Sequence, residues 1–198
     1  MSDQAAFLNF SIDMSNPSFL TGTKKLFQYY KSLGDKAIAQ LDDIQVNWRP
    51  NEASNSIAII VHHLSGNMMS RFTDFLTSDG EKPWRDREAE FDQGYRDKNE
   101  MLHAWENGWK AVFSALDSVR ETDVDAIVYI RNEGQSVQDA FQRQLAHYAS
   151  HIGQILYVAK MLKGNDWVSL SIPKGGTAAY NQGKFSQEKS IGHFTDKA

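Results

Sequence analysis

A chain of 198 residues, 41% hydrophobic and 12% aromatic, has enough apolar surface to bury one full core without covalent staples. It contains no cysteine, which excludes disulfides, thiolate ligands and cysteine nucleophiles together and fits a reducing compartment. With 21 basic residues interspersed among 25 acidic ones, a net charge of -4 and a pI near 5.8, the chain has no electrostatic footprint for nucleic acid, and no such partner is expected.

Residues 1–16 carry acidic side chains and no basic run ahead of an apolar one, so they do not read as a secretory signal. No window has the apolar length of a membrane span. The expectation is a cytoplasmic protein with no membrane partner, built as a single domain over 1–198: a helical bundle at 16–163 and a packed irregular tail at 164–198.

Four long periodic segments follow. The first starts at Asn16-Pro17, a cap residue with a proline at the first helical position, and carries Phe19, Thr23, Leu26, Tyr30, Leu33, Ala37 and Leu41 at steps of three and four. Gly34 inside it costs ~1 kcal/mol relative to alanine in a helix. Residues 42–53 read as a connector. The second segment, about 54–76, has Ile57, Ile60, Val61, Leu64, Met68, Phe72 and Phe75 as its core face. Residues 77–94 are charged and hold Asp79-Gly80 and Pro83, which predicts a long ordered loop with no helix; loops of this length are often functional.

The third segment, about 98–119, shows Leu102, Trp105, Trp109, Val112 or Phe113, and Leu116 at helical spacing, with both tryptophans assigned to the core. Ile127-Val-Tyr-Ile130 followed by Arg-Asn-Glu-Gly reads as a strand and turn, half of a small hairpin. The fourth helix opens at Ser136-Val-Gln-Asp139, a capping box in acidic form, and closes at Lys160, Lys163 and Gly164. Its stripe is Phe141, Leu145, Tyr148, Ile152, Ile155, Ala159 and Leu162. Residues 165–198, with Pro173 and several glycines, read as irregular. The fold class is all-α, an antiparallel four-helix bundle.

His147 and His151 stand four residues apart on the fourth helix, so both rings leave one face and a single metal ion could take a nitrogen from each. The third ligand falls to His62-His63 on the second helix, where only one ring can face a given neighbour. His63 shares its edge with Ser56, Asn67 and Ser70, a polar strip bordering the core, whereas His62 goes with Ala58, Ser65 and Met69. His63 is offset from its core face in the same rotational sense as His147 and His151, which suits a seam between helices. His103 and His193 have no partner at ligand spacing. Arg85, Arg87, Glu88 and Glu90 read as a solvated, salt-bridged loop, with an arginine near the metal mouth able to receive an anion. Asn67 and Gln154 read either as supports for the ligands or as surface amides.

Val61-His-His63-Leu-Ser-Gly-Asn67, followed some eighty residues later by His147-x-x-x-His151-Ile-Gly-Gln154, resembles the DinB/YfiT-like superfamily of metal-binding four-helix proteins. The resemblance covers about 19–162 and implies that His63, His147 and His151 bind one divalent ion. The loop at 79–85 and the tail at 167–176 resemble an uncharacterised subgroup. Characterised members include S-transferases using bacillithiol or mycothiol and a mycothiol-dependent maleylpyruvate isomerase. The resemblance therefore implies a low-molecular-weight thiol as co-substrate and an electrophilic small molecule as substrate. Imidazole suits zinc, nickel, iron and copper alike.

Two other functions compete. A metal-water hydrolase would want a carboxylate base, and none lies within the histidine motifs as it does in H-E-x-x-H. A non-catalytic module, acting as a homodimer, would have a closed metal site with a fourth ligand from the long loop or His193.

Overall fold

The structure, a computed structural model, describes residues 18–92 and 94–197. In chain order its elements are α1 (Phe19–Ala39), α2 (Asp43–Asn47), α3 (Ile57–Phe72), α4 (Ala89–Asp92), α5 (Lys98–Ser118), a hairpin of β1 (Ile127–Ile130) and β2 (Glu133–Ser136), α6 (Val137–Lys163) and α7 (Thr177–Phe185). The protein is an all-α bundle of α1, α3, α5 and α6 with one short hairpin ahead of α6. No helix among the described residues is long and apolar enough to cross a membrane.

Residue pairings give the helix directions. Phe72 stacks on Phe141 while Asn67 meets Tyr148, so α3 and α6 run antiparallel. Asp35 meets Trp105 while Phe27 meets Trp109, so α1 and α5 do too. In contrast, Phe27 meets Phe141 and Gly34 faces Ile152, so α1 runs parallel to α6, and the order is up-down-down-up. This explains the long loop. The successive helices α3 and α5 point the same way and pack on one another, so the chain must return along the bundle between them. That return carries residues 77–92 past the middle of α3. It is not wholly irregular, as it contains the single turn α4 that the charged composition hid.

Local signals set the helix ends. The Asn16-Pro17 signal lies outside the described residues. Ser18 caps α1, its hydroxyl accepting the Thr21 N–H at 3.2 Å. Ser56 does the same for α3 and Ser136 for α6, the latter from the Asp139 N–H at 3.0 Å. Gly164, with φ 54°, ends α6 in a conformation glycine adopts without steric cost. The connector after α1 holds the short helix α2, closed by a reciprocal capping box between Asp42 and Gln45. The tail holds α7 and a final turn packed on α1, where Phe194 meets Tyr29 and Lys25 pairs with Asp196 at 2.6 Å.

The hairpin turn places Arg131 and Asn132 at φ 56° and 62°, the positive values that a two-residue reversal needs. Asp79 offsets the strain: its carboxylate accepts the backbone N–H groups of Arg131 and Asn132, each at 2.8 Å, and of Glu81 at 2.7 Å. These donors, that of Asn132 foremost, hold the Asp79 carboxyl below its ordinary range. The clamp ties the long loop to the hairpin.

The core faces of α3 and α6 fall where their periodicity puts them, and Trp105 and Trp109 are fully buried. On α1 the buried line is turned by one residue. Phe27, Gly34 and Ile38 lie at its centre, while Leu26, Tyr30 and Leu33 are only partly buried. The reason is Gly34, where the Trp105 ring takes the place of a side chain. A Cβ there would stand 2.8 Å from Trp105 Cζ2 and 3.0 Å from Ile152 Cδ1. Gly34→Ala should therefore lower stability by about 1–2 kcal/mol, since overpacking outweighs the ~1 kcal/mol gain in helix propensity. A thermal melt checks this, and an unchanged or raised Tm would show that the Trp105 ring gives way.

Candidate metal centre

Helix α3 presents His63, Asn67 and Arg71 at four-residue steps on one face, and antiparallel α6 presents Arg143, His147 and His151 in the same way. Where the two faces meet, His63 Nε2 lies 3.3 Å from His147 Nε2, and His151 Nε2 lies 3.0 Å from that same atom. One ligand atom from each of the three rings falls within 4.8 Å of those of the other two. Among the described residues no further histidine or carboxylate joins the group. Of the His62–His63 pair, His63 is the one buried in the seam, while His62 turns toward Tyr95, ring centroids 5.1 Å apart.

Hydrogen bonds on the far side of two rings settle their protons. His63 Nδ1 stands 2.9 Å from Glu90 Oε2, and a carboxylate held in its ionised form only accepts, so Nδ1 carries a hydrogen and the neutral ring presents its Nε2 as a lone pair. His151 Nδ1 donates in the same way to Gln154 Oε1 at 2.9 Å. Burial, reinforced by the neighbouring His151 and His63 rings, pushes His147 down to about 4. Burial also lowers His151, against the Gln154 hydrogen bond that raises it. As neutral rings the three nitrogens converge with at most one hydrogen among them, too few to bond both contacts. A cation held among them would resolve this. Two nitrogens each ~2.1 Å from one ion at a tetrahedral angle stand about 3.4 Å apart, close to the two spacings here.

Glu90 and Arg85 correct the picture of a solvated loop. Their side chains are 4% and 2% exposed, and Arg85 grips Glu90 with two bonds, Nε to Oε1 at 2.7 Å and Nη2 to Oε2 at 2.9 Å. Burial works to raise the Glu90 carboxyl, but the hydrogen bonds from His63 and Arg85 outweigh it and hold it below the ordinary range. Gly66 makes room, since a Cβ there would meet Glu90 Oε1 at 2.2 Å. Phe91 follows on α4 and covers the His63 ring, centroids 4.9 Å apart. Arg87 and Glu88 are solvated as expected.

Of the two amides, Gln154 bonds the His151 ring, whereas Asn67 accepts from the buried Tyr148 hydroxyl at 2.9 Å. His103 is exposed and His193 bonds Thr195 in the tail, and neither joins the group. A cavity of ≈290 Å³ opens beside His63 and His147 and is bordered by Asn67 and Gln144. A larger hollow of ≈1430 Å³ lies between α1 and the tail, and none of the three clustered histidines lines it.

One family matches this chain, described as "Protein of unknown function (DUF1572)", over residues 14–176. The chain belongs to the DUF1572 family. The matched stretch includes all three histidines, Arg85 and Glu90, and ends before α7. No curated protein and no solved structure matches it.

Proposed function

We propose that this DUF1572 protein is a DinB/YfiT-like enzyme whose three histidines hold one divalent ion and which presents a low-molecular-weight thiol to an electrophilic small molecule. The observation that carries the reading is the set of three Nε2 atoms turned on one another with too few hydrogens to bond. The order of the histidine motifs along the chain, on the second and fourth long helices, supports the resemblance.

Bound between the three imidazoles, a divalent ion supplies Lewis acidity, because neutral ligands leave its charge undiminished and coordination positions over, enough to ionise a thiol near neutral pH. The chain's own groups prepare the place. Glu90 and Gln154 hold the Nδ1 hydrogens and so keep two Nε2 lone pairs aimed inward, and burial keeps His147 neutral. Phe91 shields one side of His63 from water. The sulfur must come from a separate thiol, since the protein has none to offer. In the transfer the thiol proton is released to solvent, the sulfur electron pair forms the new C–S bond, and the leaving group departs with its bonding pair. Hydrolysis is less well served, because Glu90 stands on the Nδ1 side of His63 with both oxygens engaged and cannot act as base for water.

Zinc-loaded and nickel-loaded protein should consume bacillithiol or mycothiol with a chloroaromatic electrophile at least about 10-fold faster than the His63→Ala variant, the lower bound expected of a lost Lewis acid. Equal rates for the two proteins, with every thiol tried, reject the transferase reading.

A further inference from the structure

The cavity beside His63 and His147 is lined by five arginines, Arg71, Arg85, Arg87, Arg131 and Arg143, and by no carboxylate. They come from four separate parts of the fold: α3, the long loop, the hairpin turn and α6. Their neighbours do not balance them. Glu81 is shared between Arg71 at 3.3 Å and Arg131 at 3.0 Å, Glu90 is taken by Arg85, and Glu88, paired with Arg87, is 87% exposed and so screened by water. Arg143 has no hydrogen-bond or ion-pair partner among the described residues. Five guanidiniums thus meet three carboxylates in a protein whose net charge is -4, and an ion at the histidines would add to the excess. Two polar atoms of lining residues, Arg71 Nε and Gln144 Oε1, are buried without a partner; Arg71 is 7% exposed and Gln144 4%.

The placement also carries a distance. Arg143 stands one helical turn from His147, and Arg71 two turns from His63, along faces that meet in the same seam. At 1.5 Å rise per residue these are offsets of about 6 and 12 Å. Guanidinium groups bind carboxylate and phosphate oxygens through paired donors.

We propose that this cavity is an oxyanion subsite: the small molecule brought to the metal centre carries a carboxylate or phosphate group about 6–12 Å from its reacting atom, held between Arg143 and Arg71 with Arg87 and Arg131 lining the same cavity. The inference rests on the metal-centre reading for which end of the ligand reacts, but the anion site itself stands on the arginines. The cavity volume, at the low end for small-molecule sites, suits a compact anion.

The test is calorimetric titration of the full chain, with and without zinc, using inorganic phosphate and succinate as probes. Wild-type protein should bind at least one of them, and Arg87→Gln/Arg143→Gln should weaken that binding at least about 10-fold, the loss of a charge-assisted contact. Zinc affinity should stay unchanged in the variant. Tighter phosphate than succinate binding identifies a phosphate ligand, and the reverse a carboxylate. Failure of both probes to bind, or binding equally tight in the variant, overturns the proposal. Zinc binding without oxyanion binding leaves the metal centre standing and removes the subsite, whereas arginine-dependent phosphate binding by a chain that takes up no zinc does the opposite.

Discussion

Replacing His147 with alanine takes zinc uptake from one ion per chain to none under conditions that saturate the wild type. His147 is the centre of the cluster, its Nε2 lying 3.3 Å from that of His63 and 3.0 Å from that of His151, so its loss leaves only two donors for the ion. The fall in affinity should exceed the about 10–100-fold that follows loss of a group supporting a ligand. The same variant separates binding from folding. An ion present at 100 times its dissociation constant stabilises the wild type by about 2.7 kcal/mol. For a chain of this size that is a rise of about 5–10 °C in Tm. The variant should fold, because His147 is a partly exposed residue on a helix anchored by Tyr148 and Ile152, yet show no such rise. Metal analysis that finds one tightly held zinc in His147→Ala refutes the three-histidine centre.

The largest loss of stability is expected from Glu90→Ala. That change strips two partners at once, leaving the Arg85 guanidinium buried and unpaired and the His63 Nδ1 hydrogen without an acceptor. Breaking a buried pair from one side costs about 3–5 kcal/mol. Replacing both charges with apolar side chains, as in Arg85→Met/Glu90→Met, removes the orphaned charge and should recover much of that loss. Glu90→Gln should keep the fold but weaken zinc binding about 10–100-fold, since one amide cannot serve both His63 and Arg85 as a carboxylate does. Denaturant unfolding and zinc titration check the series. A Glu90→Ala protein as stable as wild type would mean that the loop does not brace α3.

The ordering of these effects follows how each part could be read. His63, His147 and His151 were legible because α3 and α6 are regular: a ring's direction follows from its position in a 3.6-residue repeat, and the polar strip of Ser56, His63, Asn67 and Ser70 marks the seam. The hairpin and the ends of α6 were legible for similar reasons, since Arg-Asn at a two-residue turn and Ser136 and Gly164 at helix ends act through their own backbone. Arg85 and Glu90 were not. A charged loop residue carries no periodicity, and nothing near it in sequence distinguishes a solvated carboxylate from one bound to an imidazole 27 residues earlier. The one hint was Gly66, which in α3 is a helix breaker and in space is the gap that admits Glu90. Gly34 is a similar case, costly by propensity and required by the Trp105 ring.

By itself the sequence determined the all-α class, the long helices and which histidines share a face, because helix periodicity and capping are local and each residue's contribution is set by its near neighbours. The tertiary structure alone decided the up-down-down-up order, the burial of Glu90 with Arg85 and the gathering of five arginines beside the histidines. Those depend on where a long loop returns and which helices pack together, and the energies that choose among such arrangements come from contacts between residues far apart along the chain.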